Sequence, residues 1–382
     1  MSRIDDLLAT HCPNGVKCKS VGSAFAVVAT ARGVPRTDYA KGSAIPVVDQ
    51  GQSAIAGFTD DLSLAVPLGE YVVFGDHTRA VKWVDFQFAP GADGTKVLQA
   101  RGDLLPKFGF YALDRLDIPS RGYNRHWTIL RDLRIPVPPL EVQREIVRIL
   151  DQFSQLEAEL EAELEARRAQ YEHYAGLLLA NKEQVPRVRF GELATIVRGA
   201  SPRPIQKFIT NDPGGVPWIK IGDVPARGKF ITGTGQRVTP EGAAKSRRVR
   251  PGDFVLSNSM SFGRPYISKI DGYIHDGWLA VSGFEASFIP DYLYYLLRSS
   301  PMQEEFARRA GAGTVKNLNA EIVRSVEVPV PTKETQKRVV DLLDRFDALV
   351  NDLSVGLPAE LAARRKQYEH YRDRLLTFTE AS

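Results

Sequence analysis

Two long stretches of this chain are copies of one another. IPVPPLEVQREIVRILDQF from Ile135 aligns without gaps to VPVPTKETQKRVVDLLDRF from Val328, and LEAELEARRAQYEHY from Leu160 aligns to LPAELAARRKQYEHY from Leu357. Self-similarity of this length marks a duplicated architecture before any single residue is weighed. The offset is 193 residues in the first pair and 197 in the second, so the second copy carries four extra residues near Gly356–Pro358. Fainter echoes precede each copy: IPVVDQG at Ile45 with VPWIKIG at Val216, and GEYVVFG at Gly69 with GDFVLSN at Gly252. Each reads as a short apolar strand beside a Gly-marked turn.

The strong copies are helical in pattern. Ile146, Leu150, Phe153, Leu156, Leu160 and Leu164 recur every three or four residues, followed by Tyr171 and Tyr174; Val339, Leu343, Phe346, Leu349, Leu357 and Leu361 repeat this, followed by Tyr368 and Tyr371. Such a narrow apolar stripe is of coiled-coil type. It predicts a helix over 140–181, roughly 60 Å long at about 1.5 Å per residue, paired antiparallel with its own repeat. The alternative is two independent helices, each lying on its own globular half. Pro358 either kinks the second helix or begins a new one. Four segments follow: a globular domain at residues 1–134, a repeat helix at 135–181 acting as spacer, a globular domain at 182–327, and a second repeat helix with its tail at 328–382. The globular domains are rich in Gly, Pro and short apolar runs, so the expected class is α+β with a pseudo-twofold repeat.

Composition narrows the function. Hydrophobic residues make up 43% and charged residues 25%, ordinary for a globular chain. A net charge of +4 permits nucleic-acid binding without demanding it. The two cysteines, Cys12 and Cys18, lack a nearby second Cys/His pair, so reduced thiols are expected rather than zinc. No apolar run approaches about 18 residues and no signal-peptide order is seen, so a cytoplasmic protein is expected. Catalytic signatures are missing. GAAKS at Gly242 has the wrong spacing for a phosphate loop, and NDPG at Asn211 lacks the second proline and the aromatic residue of an adenine-methyltransferase motif. Binding rather than catalysis is the expectation.

At this point a family is recognisable. The tandem layout and the tail from Leu343 resemble the specificity subunits of type I restriction-modification systems. GGVPWIKIGDV at Gly214, SNSMSFGRP at Ser257, HDGW at His275 and GTVKNLN at Gly313 resemble one kind of target-recognition domain; VFGDHTRAVKWVDFQF at Val73, GADGTKVL at Gly91 and YNRHW at Tyr123 resemble another. The resemblance implies two target-recognition domains held apart by two antiparallel helices, each reading one half of a split, asymmetric DNA site. It implies no catalysis and no cofactor in this chain. Two modification subunits docked on the helices would carry S-adenosylmethionine and methylate adenine, and a restriction subunit, where the system has one, would bring ATP and Mg. Rival readings are a coiled-coil scaffold with two protein-binding modules, or an enzyme with an unfamiliar site.

Candidate DNA contacts are His77, Arg79 and Lys82 in one loop, where an Asp76–Arg79 surface pair is the competing reading. In the second domain they are Asn258, Ser259, Ser261 and Arg264, whose amide, hydroxyl and guanidinium groups match base edges and phosphates. Lys316 and Asn317 in a Gly-rich loop and Lys220 on a strand complete the set. Tyr171, Tyr174, Tyr368 and Tyr371 sit at helical spacing and read as seam or partner-facing residues.

Overall fold

The computed structural model describes residues 3–381 except 31, 43, 181–184, 225–227, 260–261, 312–316 and 353. The chain divides into two compact units, residues 1–161 with 360–382, and residues 162–359. These units cut across the linear repeat. Each owns one globular domain and a piece of each copy of the helical sequence.

In the first unit a four-stranded antiparallel sheet runs in the order Phe25–Val27, Thr95–Ala100, Tyr71–Gly75, Val81–Val84. A smaller sheet pairs Ile45–Val48 antiparallel with Gly57–Thr59 and parallel with Ala89–Pro90. The helix Pro106–Asp114, opened by a proline that has no N–H to waste in the first turn, buries Phe108 and Tyr111 against Phe25, Phe74 and Leu98. The same core takes in Ile146 and Leu150 of the long helix Leu140–Ala180, and Leu375 and Leu376 at the end of the last helix. Phe153 stacks on Tyr371 at 5.4 Å and meets Tyr368 edge-on at 6.4 Å, while Arg365 pairs with Glu157 and Glu161. As numbers rise from 153 to 161 on one helix they fall from 371 to 365 on the other, so the pair is antiparallel, as the repeat predicted.

The second unit repeats this plan. One sheet runs Thr195–Arg198, Trp278–Ser282, Phe254–Ser257, Pro265–Ser268, Phe230–Ile231; the other holds Val216–Ile219 parallel to Gly272–Ile274. The faint echoes occupy matching places. Ile45–Val48 and Val216–Ile219 each have a parallel neighbour, and Tyr71–Gly75 and Phe254–Ser257 are each interior to the larger sheet. The duplication therefore extends through the globular domains, beyond what their divergent sequences show.

A buried glutamine joins each globular domain to its helix in the same way. The Gln143 side chain, fully buried, accepts from Leu105 N at 2.8 Å and donates to the Asp103 and Pro138 carbonyls. Gln336, also fully buried, accepts from Ile289 N at 2.8 Å and donates to the Ser287 and Pro331 carbonyls. Tyr111 donates its hydroxyl to Asp151 as Tyr295 does to Asp344.

The second repeat helix is not continuous. It runs Lys333–Asn351, breaks, and restarts as Leu357–Leu375. Asp352 is extended, and its carboxylate accepts from Ser354 N at 2.7 Å. A side chain at Gly356 would stand 2.4 Å from the Ala348 carbonyl oxygen, so only glycine lets the chain turn back over the helix end. Pro358 then falls in the first turn of the new helix, where a missing N–H costs nothing. The four extra residues and their proline are therefore a joint.

Candidate nucleic-acid interface

In the first unit, the turn after Tyr71–Gly75 is fastened to the loop 118–126. Asp76, 1% exposed, accepts at its carbonyl from His126 N at 2.8 Å and at its carboxylate from Trp127 N at 2.7 Å. His126 is fully buried. Its Nε2 accepts from Arg121 N at 3.1 Å, which leaves Nδ1 to carry the proton toward the Asp76 carbonyl, 2.9 Å away. Arg79, at φ +66°, donates from Nη1 to the Ile118 carbonyl at 2.8 Å. His77 stacks on Tyr123, ring centroids 4.6 Å apart and planes 11° from parallel. Residues 119–125 are exposed throughout, with Arg121, Tyr123, Asn124 and Arg125 among them. The loop is thus polar, basic and held at both ends.

The second unit builds the same pairing. Leu318 N donates to the Asn258 carbonyl at 2.8 Å, the counterpart of His126 N on Asp76. By that register Asn317 stands where Arg125 does, and both are exposed. Ser259 is exposed on the facing turn. Asp276 ties in a third segment: Ser201 Oγ donates to its carboxylate at 2.7 Å, and its carbonyl accepts from Asn258 Nδ2 at 2.9 Å and Arg198 Nε at 3.2 Å. The serine hydrogen bond holds the Asp276 carboxyl below the usual carboxylate range.

Several expected contacts lie elsewhere. Lys82 is a correction: it is 9% exposed, and its ammonium donates inward to the Asp49 and Ser53 carbonyls at 2.8 and 2.6 Å. Burial pushes its pKa down, against the opposing pull of Asp49. Asn258 is also turned inward, 5% exposed, with its amide spent on Asp276. No Asp76–Arg79 pair forms, since Asp76 is buried on Trp127. Lys220 is half-buried at the start of the turn Ile221–Asp223, beside His275 and outside the paired loops. Arg264 lines a cleft of about 840 Å³ with Arg168, Lys229, Tyr294 and Asp347, its guanidinium 5.4 Å from the Tyr266 ring centroid. Ser261 and Lys316 lie outside the described residues. Of the four tyrosines, Tyr171 is 6% exposed beside Arg298 and Asp347 of its own unit, and Tyr368 and Tyr371 flank Phe153. Burial pushes Tyr368 up to about 12. Only Tyr174, at 46%, is exposed.

Sequence reasoning missed Arg121, Tyr123, Asn124 and Arg125. YNRHW was visible as a motif, but nothing in it says that His126 and Trp127 are anchors while the three residues before them face outward.

A family model described as the type I restriction modification DNA specificity domain matches the chain twice, at residues 28–166 and 182–363. The chain belongs to the type I restriction-modification specificity subunits. It is 31% identical over 367 residues to the EcoR124I/EcoR124II specificity subunit of Escherichia coli, covering 90% of each chain. It is 30% identical over 351 residues to a putative type I specificity subunit of Haemophilus influenzae, covering 86% of each. Among solved structures, a chain from a study of type I R-M complex assembly and conformational transition superposes with a TM-score of 0.66 at 17% identity, over 95% of this chain and 98% of that one. The S subunit of M. genitalium gives 0.53 at 16%, over 94% and 96%. The specificity subunit is therefore the non-catalytic, DNA-recognising member of a multisubunit complex, with two recognition domains. No helix among the described residues is long and apolar enough to cross a membrane.

Arg79 and Lys82 are expected to respond differently. Arg79→Ala frees the Ile118 end of the exposed loop at little cost to folding, and DNA affinity of the assembled complex should fall about tenfold, from a charge-assisted hydrogen bond at the low end of its range. Lys82→Ala should instead lower the melting temperature, because the Asp49 and Ser53 carbonyls lose their donor and the buried lysine stem leaves a gap. Equal melting curves for the Lys82 variant and the wild type would refute its inward role.

Proposed function

We propose that each globular domain reads one half of a split, asymmetric DNA site, and that the helical repeats dock two modification subunits. The observation that carries this is the duplication itself. Two domains that share a sheet plan and one loop-to-turn hydrogen bond present different side chains there: Tyr123 and Arg125 in one, Ser259 and Asn317 in the other. Equivalent frames with different contact groups suit two different half-sites on one duplex. S-adenosylmethionine would then belong to the modification subunits, and ATP with Mg to a restriction subunit where the system has one; this chain carries no cofactor in that division of labour. Exposed apolar residues on the repeat helices, Tyr174 and Leu177 with Leu342 and Leu349, favour docking there.

The test is methyl transfer. The isolated chain, incubated with labelled S-adenosylmethionine and DNA, is expected to leave the DNA unlabelled until a modification subunit is added. Labelling by the pure chain would contradict the proposal, as would failure to recruit a co-expressed modification subunit.

A further inference from the structure

Tyr123 is 75% exposed, more than any other Phe, Tyr or Trp among the described residues. It is nevertheless held in place. One face lies on the His77 imidazole, and His77 is itself mostly buried, its side chain 11% exposed. Gly122, at φ +66°, lets the chain turn just before the tyrosine. Asn124 Nδ2 donates to the Arg121 carbonyl at 2.5 Å, and Arg121 N donates to buried His126, so the loop on both sides of the ring is tied down. Exposing a large ring costs apolar burial, and ordering it costs rotamer entropy. A ring that is both exposed and stacked has one face committed to the protein and one face presented. Arg121 and Arg125 flank it, both exposed and without a carboxylate in ion-pair reach among the described residues. His77 Nδ1 has no hydrogen-bond partner there either.

Cations beside a planar platform fit a nucleic acid: its phosphates take the cations, and a base at a step opened by the wedged side chain takes the ring. A protein partner would instead be expected to meet a broader apolar patch, and the neighbours of Tyr123 are Ser120, Arg121, Asn124 and Arg125. We propose that Tyr123 is a base-stacking residue of the first recognition domain, packing its open face on a nucleobase of that domain's half-site while His77 backs it. This rests on the reading that the domain recognises DNA, and adds which ring does so and by what contact.

The test uses the assembled complex with its modification subunits, on duplexes carrying the motif found by methylome sequencing. Each position of the motif is replaced in turn by an abasic analogue, and binding is measured for wild type, Tyr123→Ala and Tyr123→Phe. Tyr123→Ala is expected to weaken binding by about five- to 150-fold, the range of base–aromatic stacking, with an unchanged melting temperature. Tyr123→Phe keeps the ring and should bind like the wild type. At one position of a single half-site, abasic substitution should weaken the wild type as much as Tyr123→Ala does, and should weaken the alanine variant little further. No coupled position, or a phenylalanine variant as weak as alanine, would overturn the stacking role and leave DNA reading by the domain intact. A wild-type complex that does not distinguish the motif from scrambled duplex would overturn that underlying reading and this proposal with it.

Discussion

A chimaera carrying another specificity subunit's domain in place of residues 182–330 will methylate a motif changed in one half and unchanged in the other. The second domain closes on itself. Its entry strand Arg187–Arg189 pairs with its exit strand Glu327–Pro329, and Val330 N donates to the Pro186 carbonyl at 3.0 Å. The graft must therefore carry both strands, which places the cut after Val330. Gln336 joins the domain to its helix through the backbone of Ser287 and Ile289 alone, so the donor domain has to match side chains only at the Tyr295–Asp344 and Arg298–Asp347 contacts. A foreign domain with the same backbone at that corner and those two contacts will seat there. The first domain has its own core and keeps its loops. Methylome sequencing reads both halves at once; a change in both would show that the domains do not read independently.

Gln336→Leu will unfold the second domain's junction, and Gln143→Leu the first domain's. Each glutamine satisfies one part-buried N–H, one part-buried carbonyl and one buried carbonyl, that of Pro138 or Pro331. Leucine has similar bulk but leaves all three without partners. An unsatisfied buried group costs about 1–3 kcal/mol, and the part-buried groups can turn to water, so roughly 2–3 kcal/mol is expected for each variant. Glutamate at either position can still accept from the N–H but cannot donate, and should fall between. Denaturant unfolding measures this directly. A loss under about 1 kcal/mol for the leucine variants would mean that water replaces the side chain and that the junction is looser than its hydrogen bonds indicate.

Much of the frame was legible because helices write their packing into sequence. Phe153, Tyr368 and Tyr371 repeat at helical spacing, and they do meet. The strand echoes at Ile45 and Val216, and at Gly69 and Gly252, survived because buried strands in equivalent places need short apolar runs flanked by turns. The contact residues were less legible. Lys82 and Asn258 have the chemistry of DNA readers, but in the fold they bind backbone carbonyls, and composition cannot tell a lysine that faces out from one that faces in. Tyr123 was overlooked for the opposite reason: an aromatic residue between polar neighbours reads as a core residue or a loop ornament until its stacking on His77, 46 positions earlier in the sequence, is seen. The break at Asp352–Gly356 was foreshadowed by Pro358, yet whether proline kinks or begins a helix depends on which carbonyls lie behind it.

The division of the chain has a consequence for biosynthesis. The second unit, 162–359, is continuous in sequence and is complete once residue 359 has left the ribosome. The first unit has to wait. Its core needs Leu375 and Leu376, Phe153 needs Tyr368 and Tyr371, and Val16 pairs with Glu380 as Arg115 holds the Leu376 carbonyl. The half that emerges first is finished last, with an apolar face of the long helix open until those residues arrive. A nonsense codon shortly before Tyr368 would therefore cripple the domain made long before it.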